Sequence, residues 1–427
     1  GWGAGSGKGK DPDYYDTLNP ASRIQVKGFE SVNRRRGLGG SMVGYRAPTE
    51  ERRAKDPFMP PNSGYALALT SVVEWGKSGS AKVVLHDLGN EETVVIDGKR
   101  YTLAGDFTAA VATSVGAAPK ASAGWIGMMR PNRNKKWEGL YSLEPYRADR
   151  IPLILVHGLL STPGTWREVI NIAYSDKVIR ENYQIMVFFY PTGFPIPANA
   201  ADLRDELKAY QKLHDPNRTN PRMRRMVMVG HSMGSILTNF QIRDGGDALW
   251  SKFFNKPVEE MGLEPDDVAR LRRAAYFKAN PDIDRVVFVC GPHRGSPLSN
   301  AWLGRFGANL IRLPFHTVNE LGGDVLSGTT ALGRSVFDEP GSSINNLQEN
   351  SPILEALLEQ PIPYKPKIHT IIGDRGKGDG VNSSDGVVPY WSAHLEVAHT
   401  EEFIPASHTT ATNDNENVKA VRRILYK

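Results

Sequence analysis

The rhythm of apolar and polar positions changes twice along the chain. Up to residue 62 there is no sustained apolar period; the stretch is rich in Gly, Pro and Arg, with Arg34-Arg35-Arg36 its densest charge, and reads as an extended basic arm or linker. From Tyr65 β-branched runs begin: YALALTSVVEW, AKVVLHDL and ETVVIDGKRYTL, the last with an Asp97-Gly98 hairpin signal. With a helix expected over Asp106 to Ala118, they predict a small β-rich module over residues 63–148.

The third rhythm, over residues 149–427, repeats strand, loop and helix. IPLILVHG (151–158), YQIMVFFYP (183–191), RMVMVGHS (225–232), RVVFVCGP (285–292) and KIHTIIGD (367–374) are nearly continuous apolar runs ending in Gly, Pro or polar residues. Parallel strands buried on both faces have this pattern. Between them, AADLRDELKAYQKL (200–213) sets Leu203, Leu207, Tyr210 and Leu213 at helical spacing. Alternating βα units predict an α/β fold with an open, doubly wound, mostly parallel sheet, whose sites lie at the carboxyl ends of the strands.

Two stretches interrupt the rhythm, 244–284 and 296–360, and are expected to insert as a cap or lid. In the second, AWLGRFGANLIRLPF (301–315) places Trp302, Phe306, Leu310 and Ile311 on one helical face. Trp302 and Phe306 are therefore candidates for contacting an apolar substrate, although amphipathic helices more often bury that face against a core.

Composition narrows the function classes. The net charge of +5 is uneven: residues 1–60 carry 11 Lys and Arg against 7 Asp and Glu, which leaves +1 for the rest. A nearly neutral body argues against nucleic acid as a partner. Cys290 is the single cysteine, so no intrachain disulfide can form. No apolar run approaches the roughly 18 residues of a membrane span. The first residue is Gly rather than Met, from which an N-terminal segment, such as a secretion signal, is expected to have been removed or never included. GAGSGKGK near the start has Gly9 where a phosphate loop needs Ser or Thr, and no strand precedes it.

The chemistry concentrates at Gly230-His231-Ser232-Met233-Gly234, the one G-x-S-x-G in the chain. A buried strand, RMVMV, precedes it and a helix-compatible stretch, SILTNFQIRD, follows. A sharp strand-to-helix turn explains both glycines and lifts the Ser232 hydroxyl out at the strand end. The helix N-terminus then presents the Met233 amide to an oxyanion, and Leu159, after His157-Gly158 in VHGLLSTPG, offers a second amide from another loop. His157 itself reads as a loop histidine bonded to backbone.

A serine hydroxyl needs a base, and the base needs an anion. Of ten histidines, His408 follows the strand-like HTEEFIPA and precedes a last helix, NENVKAVRRIL. In such folds the partners arrive in the order Ser, acid, His, with the His after the final strand. His394 and His399 are the runners-up, and His231 reads as packing. The acid lies in GDRGKGDGVNSSDGVVPYW, where Asp374, Asp379 and Asp385 are not separable by charge.

VHGLL, VGHSMGS, PHRGSP, SSDGVVPYWSAHLE and PASHTTA, in this order, resemble the lipase and esterase branch of the α/β-hydrolase superfamily. EPY, HGLLS, YPTG, GDALW and GDRGKGD resemble more closely a set of bacterial esterase/lipase-family proteins, often lipoproteins, over about residues 65 to 427. The resemblance implies Ser232 as nucleophile, Asp385 as acid and His408 as base, with Leu159 and Met233 as oxyanion donors. It selects Asp385 because an Asp-Gly-Val-Val element carries the acid a little over twenty residues before the His, and here the gap is 23. In VCGPHRGSP, Cys290-Gly291 replaces a commoner Ala-Thr or Gly-Thr pair, and His293 and Arg294 are expected to brace a loop beneath the cap.

The implied activity is carboxylic ester hydrolysis without a cofactor, on a small-molecule or lipid ester. Calcium is permitted by the acidic residues near Asp385 but required by nothing. An extracytoplasmic setting, secreted, periplasmic or lipid-anchored, follows from the resemblance and leaves room for peripheral membrane association. A lipobox cysteine is absent from the sequence. An acyltransferase or amidase with the same three residues, or a non-catalytic binding protein of this fold, are the alternatives.

Overall fold

The computed structural model describes residues 2–4, 10–76, 80–116, 137–298, 328–331, 347–376, 378 and 380–427. The expected helix at 301–315 with Trp302 and Phe306, Asp379, and most of GAGSGKGK and of the 296–360 insertion lie outside them.

Five strands form an N-terminal mixed sheet: β1 (Trp2–Ala4), β2 (Thr17–Pro20), β3 (Gly40–Arg46), β4 (Tyr65–Trp75) and β5 (Ala81–Asp87), in the order β1-β5-β4-β3-β2. The sequence reading sets a boundary at residue 62, yet β2 and β3 come from the expected arm. β3 pairs with β4 along its whole length, from Gly40 opposite Ser71 to Arg46 opposite Tyr65. GSMVGYR escapes a periodicity search because only Val43 and Gly44 in it are fully buried, so the ladder rather than a buried face holds it. A hairpin, β6 (Thr93–Ile96) and β7 (Lys99–Thr102), turns at Asp97 (φ 48°) and Gly98 (φ 76°), the left-handed pair that a two-residue turn requires.

Helix α1 (Phe107–Gly116) closes this part, with Phe107, Ala109 and Ala110 sharing a core with Val43, Ala66 and Val72. Residues 30–33 of the arm are tied to α1 and to helix α2 (Arg167–Ser175). The Asn33 N–H donates to Thr108 Oγ1 at 2.7 Å, the Glu30 N–H to Glu168 Oε1 at 2.9 Å, and Asn171 Nδ2 to the Ser31 carbonyl at 2.9 Å.

The central sheet has seven strands: β8 (Gly139–Ser142), β9 (Ile151–Val156), β10 (Tyr183–Phe189), β11 (Met226–His231), β12 (Ile283–Val289), β13 (Lys367–Gly373) and β14 (Thr400–Ile404). Their order is β8-β10-β9-β11-β12-β13-β14; β8 is antiparallel to β10 and every other pair is parallel. The apolar runs of the sequence are the middle five strands. β8 falls inside the stretch assigned to the β-rich module, because four residues, GLYS, are too few to show a period.

Successive strand residues point to opposite cores, as a pleat demands. Ile154, Val156, Met186, Phe188, Met228 and Phe288 join one cluster, capped by helices α3 (Ile196–His214) and α4 (Met233–Gln241). Leu153, Leu155, Val187, Val229, Val287 and Ile371 join the other, with α2 and helix α5 (Asn415–Leu425). In the first insertion, a helix over Pro265–Ala275 is held against α3 by Arg273, which bonds Asp202 at 2.8 Å and Asp205 at 2.6 Å. No helix among the described residues is long and apolar enough to cross a membrane.

Candidate active site

Strand β11 ends at His231, α4 begins at Met233, and Ser232 makes the whole turn between them at φ 54°, ψ −124°. A side chain in that region is strained, and the surroundings hold it there. The turn is so tight that a Cβ on Gly230 would stand 2.4 Å from the Gly234 carbonyl oxygen, and one on Gly234 would stand 2.3 Å from that of Val156 in β9. On the other side the Ser232 N–H donates to the Val289 carbonyl of β12 at 2.9 Å. The serine is thus wedged between the two neighbouring strands and is 6% exposed.

The loops after β13 and β14 bring the other two side chains to it. His408 Nδ1 donates to Asp385 Oδ2 at 2.6 Å, which leaves Nε2 as the acceptor for the Ser232 hydroxyl at 2.8 Å. Asp385 Oδ1 is held by a return turn, accepting from the Val387 N–H at 2.8 Å and the Val388 N–H at 2.7 Å. Burial pushes the Asp385 carboxyl upward, but the adjoining His408, its hydrogen bond and those two amides outweigh it and keep the group below its ordinary value.

The loop after β9 lies against the serine. A Cβ on Gly158 would come within 2.9 Å of Ser232 Cβ, so the backbone that continues into Leu159 passes close against the Ser232 turn. Met233 is the first residue of α4, and its N–H has no acceptor one turn back in the helix. His157 points elsewhere: its Nδ1 donates to the Gly158 carbonyl at 3.0 Å, its ring stacks on Tyr190 at 4.4 Å, and burial lowers its pKa to about 4. Further along, Thr165 Oγ1 and Thr412 Oγ1 meet at 2.8 Å, joining this loop to the one that carries His408.

Other candidates stand apart. Asp374 is half-buried and accepts from the Gly376 N–H in its own turn at 3.0 Å. His394 pairs with Glu401 at 2.8 Å, and His399 accepts from the Ile368 N–H at 3.1 Å, near the start of β13. His293 is buried, 3.4 Å from Asn239 Nδ2, and burial with Arg243 and Arg294 nearby lowers its pKa to about 3. Arg294 Nη1 donates to the carbonyls of Trp391 at 3.0 Å and His394 at 2.6 Å, and so braces the loop that follows Asp385, which His293 touches only through its backbone N–H, donated to the Ser392 carbonyl at 3.0 Å.

Two neighbours of the site were given no part in it by the sequence. Cys290, at φ 50° on the end of β12, brings its Sγ within 4.8 Å of the facing atoms of Asp385 and His408. Burial and the Asp385 charge push its thiol pKa up, so it stays S–H. His231, read as packing, reaches the His408 carbonyl. No pattern marks either residue, because one depends on a backbone angle and the other on a carbonyl brought from 177 residues away.

Among the described residues, Cys290, Asp385 and His408 are the one grouping whose donor atoms could share a metal ion. Calcium takes oxygen ligands, and this set offers sulfur, nitrogen and one carboxylate already engaged by the histidine. A cavity lies beside the loop that follows β9, against Thr162, Pro163 and Gly164, with Val111, Tyr141 and Phe189 also lining it; Ser232, Asp385 and His408 do not line it.

No protein family matches the chain, and no curated protein does. Solved structures do. A lipase of Bacillus licheniformis in its mature form is 14% identical, covering 67% of this chain and 97% of its own, with a TM-score of 0.39. Staphylococcus hyicus lipase is 12% identical over 64% of this chain and 92% of its own, at 0.38. A lipase-esterase related protein of Clostridium acetobutylicum is 12% identical over 67% and 98%, at 0.36. All three are bacterial proteins of the lipase and esterase kind.

Proposed function

We propose that the protein is a serine hydrolase of carboxylic esters, with an α/β-hydrolase catalytic domain over residues 149–427 whose sheet is doubly wound and whose insertions at 244–284 and 296–360 form a cap. One observation carries the reading: Ser232 Oγ, both nitrogens of His408 and Asp385 Oδ2 form an unbroken chain of hydrogen bonds at 2.8 and 2.6 Å.

In the proposed reaction His408 Nε2 takes the Ser232 proton while Oγ attacks the ester carbonyl carbon. Asp385 holds the Nδ1–H tautomer and stabilises the imidazolium without accepting its proton, in keeping with its lowered pKa. The negative oxygen of the tetrahedral intermediate rests on the amides of Leu159 and Met233, the latter aided by the N-terminus of α4. The intermediate collapses as His408 protonates the departing alcohol, leaving an acyl-Ser232 ester. Water, deprotonated by the same nitrogen, attacks that ester, and His408 returns the proton to Ser232 Oγ as the acyl–oxygen bond breaks and the acid leaves.

The substrate is a small or lipid ester, and the setting is extracytoplasmic. A series of nitrophenyl esters of rising acyl length, then emulsified triglyceride and phospholipid, tests the reaction and ranks esterase against lipase. Turnover is expected for the wild type and not for Ser232→Ala; equal rates in the two would refute the proposal.

A further inference from the structure

The reaction above leaves the residue before the nucleophile without a role. We propose that His231 is a positioning residue for that ester hydrolysis, and the inference rests on that reading: its ring holds the His408 loop and the Gly158 turn in register, so that His408 Nε2 stays within reach of Ser232 Oγ.

The ring touches both partners at once. Its Nε2 lies 3.0 Å from the His408 carbonyl oxygen. A carbonyl only accepts, so Nε2 carries the proton and Nδ1 is a bare lone pair. Nδ1 is buried with no hydrogen-bond partner, and it faces Gly158, where an added Cβ would come within 3.0 Å of it. The same glycine packs on Ser232. The Trp166 ring stands perpendicular to that of His231, with ring centroids 6.4 Å apart at 89°.

The effect on the base is specific. The backbone N–H of His408 donates to the Asp385 carbonyl at 3.0 Å, while its C=O accepts from His231. Both backbone polar groups of residue 408 are thereby fixed, one from the Asp385 loop and one from the end of β11, and its imidazole starts from a clamped main chain. Displacing a reacting group by about 1 Å can cost on the order of a hundredfold in rate. His231 must stay neutral to do this, because a cation would stand beside the His408 imidazolium, whose ring centroid is 5.0 Å away. Burial, reinforced by His408, lowers its pKa to about 3.

Two variants separate positioning from packing. His231→Phe keeps a ring and loses the donor, whereas His231→Gln loses the ring and keeps an N–H within reach of the carbonyl. For positioning, the Phe variant loses about tenfold or more in kcat with KM little changed, Ser232 labelling by a fluorophosphonate slows in parallel, and Gln recovers most of both. A Phe variant as fast as wild type, or a Gln variant slower than Phe, overturns the inference.

Should the wild type react with the fluorophosphonate yet hydrolyse no ester, the substrate reading fails and the labelling rates still test His231. If neither variant folds, nitrogen NMR of the histidine-labelled wild type decides. A neutral Nε2–H tautomer, unchanged between about pH 5 and 8, is expected; an Nδ1–H tautomer or a titration in that window overturns the inference.

Discussion

Asp385 and His408 are joined twice: the imidazole Nδ1 donates to the carboxylate at 2.6 Å, and the His408 backbone N–H donates to the Asp385 carbonyl at 3.0 Å. The second bond survives loss of the carboxylate's charge. Asp385→Asn is therefore expected to fold with its loops in place while kcat falls by about 10³ to 10⁴, since the amide no longer selects the Nδ1–H tautomer. Asp374→Asn, altered at a carboxylate that serves its own turn, should turn over near the wild-type rate. Steady-state kinetics on one nitrophenyl ester checks the pair, and the opposite ranking would move the acid to Asp374.

The elbow predicts a stability effect rather than a chemical one. At Gly234 a methyl group would meet the carbonyl oxygens of Val156 and His157 at 2.3 and 2.5 Å, both backbone atoms of a central strand and its exit. Neither can give way cheaply. Gly234→Ala should lose about 1–3 kcal/mol or more in denaturant unfolding, with activity falling as the sheet is forced apart. A fully stable, fully active alanine variant contradicts the tight turn.

Buried histidines set an acid limit. His157, His231 and His293 have pKa values lowered to about 4, 3 and 3 from an ordinary 6.5, each chiefly through burial. Below pH 6.5 the unfolded chain takes up protons at these positions that the folded one refuses. Their contribution to stability is thus complete above 6.5 and is lost as pH falls toward 4 and 3, by up to about 1.4 kcal/mol per unit for each. Denaturant midpoints at about pH 7, 5.5 and 4.5 should fall steadily. Midpoints flat across that range would mean that the three side chains reach solvent.

What the sequence revealed follows physical lines. The five middle strands were legible because burial on both faces leaves runs such as LILV in β9 and VMV in β11 almost free of polar residues. β8 and β3 were not, being too short or too sparsely buried to show a period. Gly230, Ser232 and Gly234 were readable because a sharp elbow tolerates few other residues, and the place of His408 beside Ser232 because it follows the last strand. Charge could not separate Asp385 from Asp374; the distinction lies in the return turn through Val387 and Val388, a property of the folded loop. His231 acts through a carbonyl, which no residue-type pattern encodes.

The central claim is that Ser232 becomes a covalent acyl carrier. Folded protein treated with a fluorophosphonate, then digested and mapped by mass spectrometry, is expected to carry one adduct, on Ser232, and Asp385→Asn should acquire it far more slowly. Folded wild-type protein that remains unlabelled, or an adduct on any other residue, would contradict it.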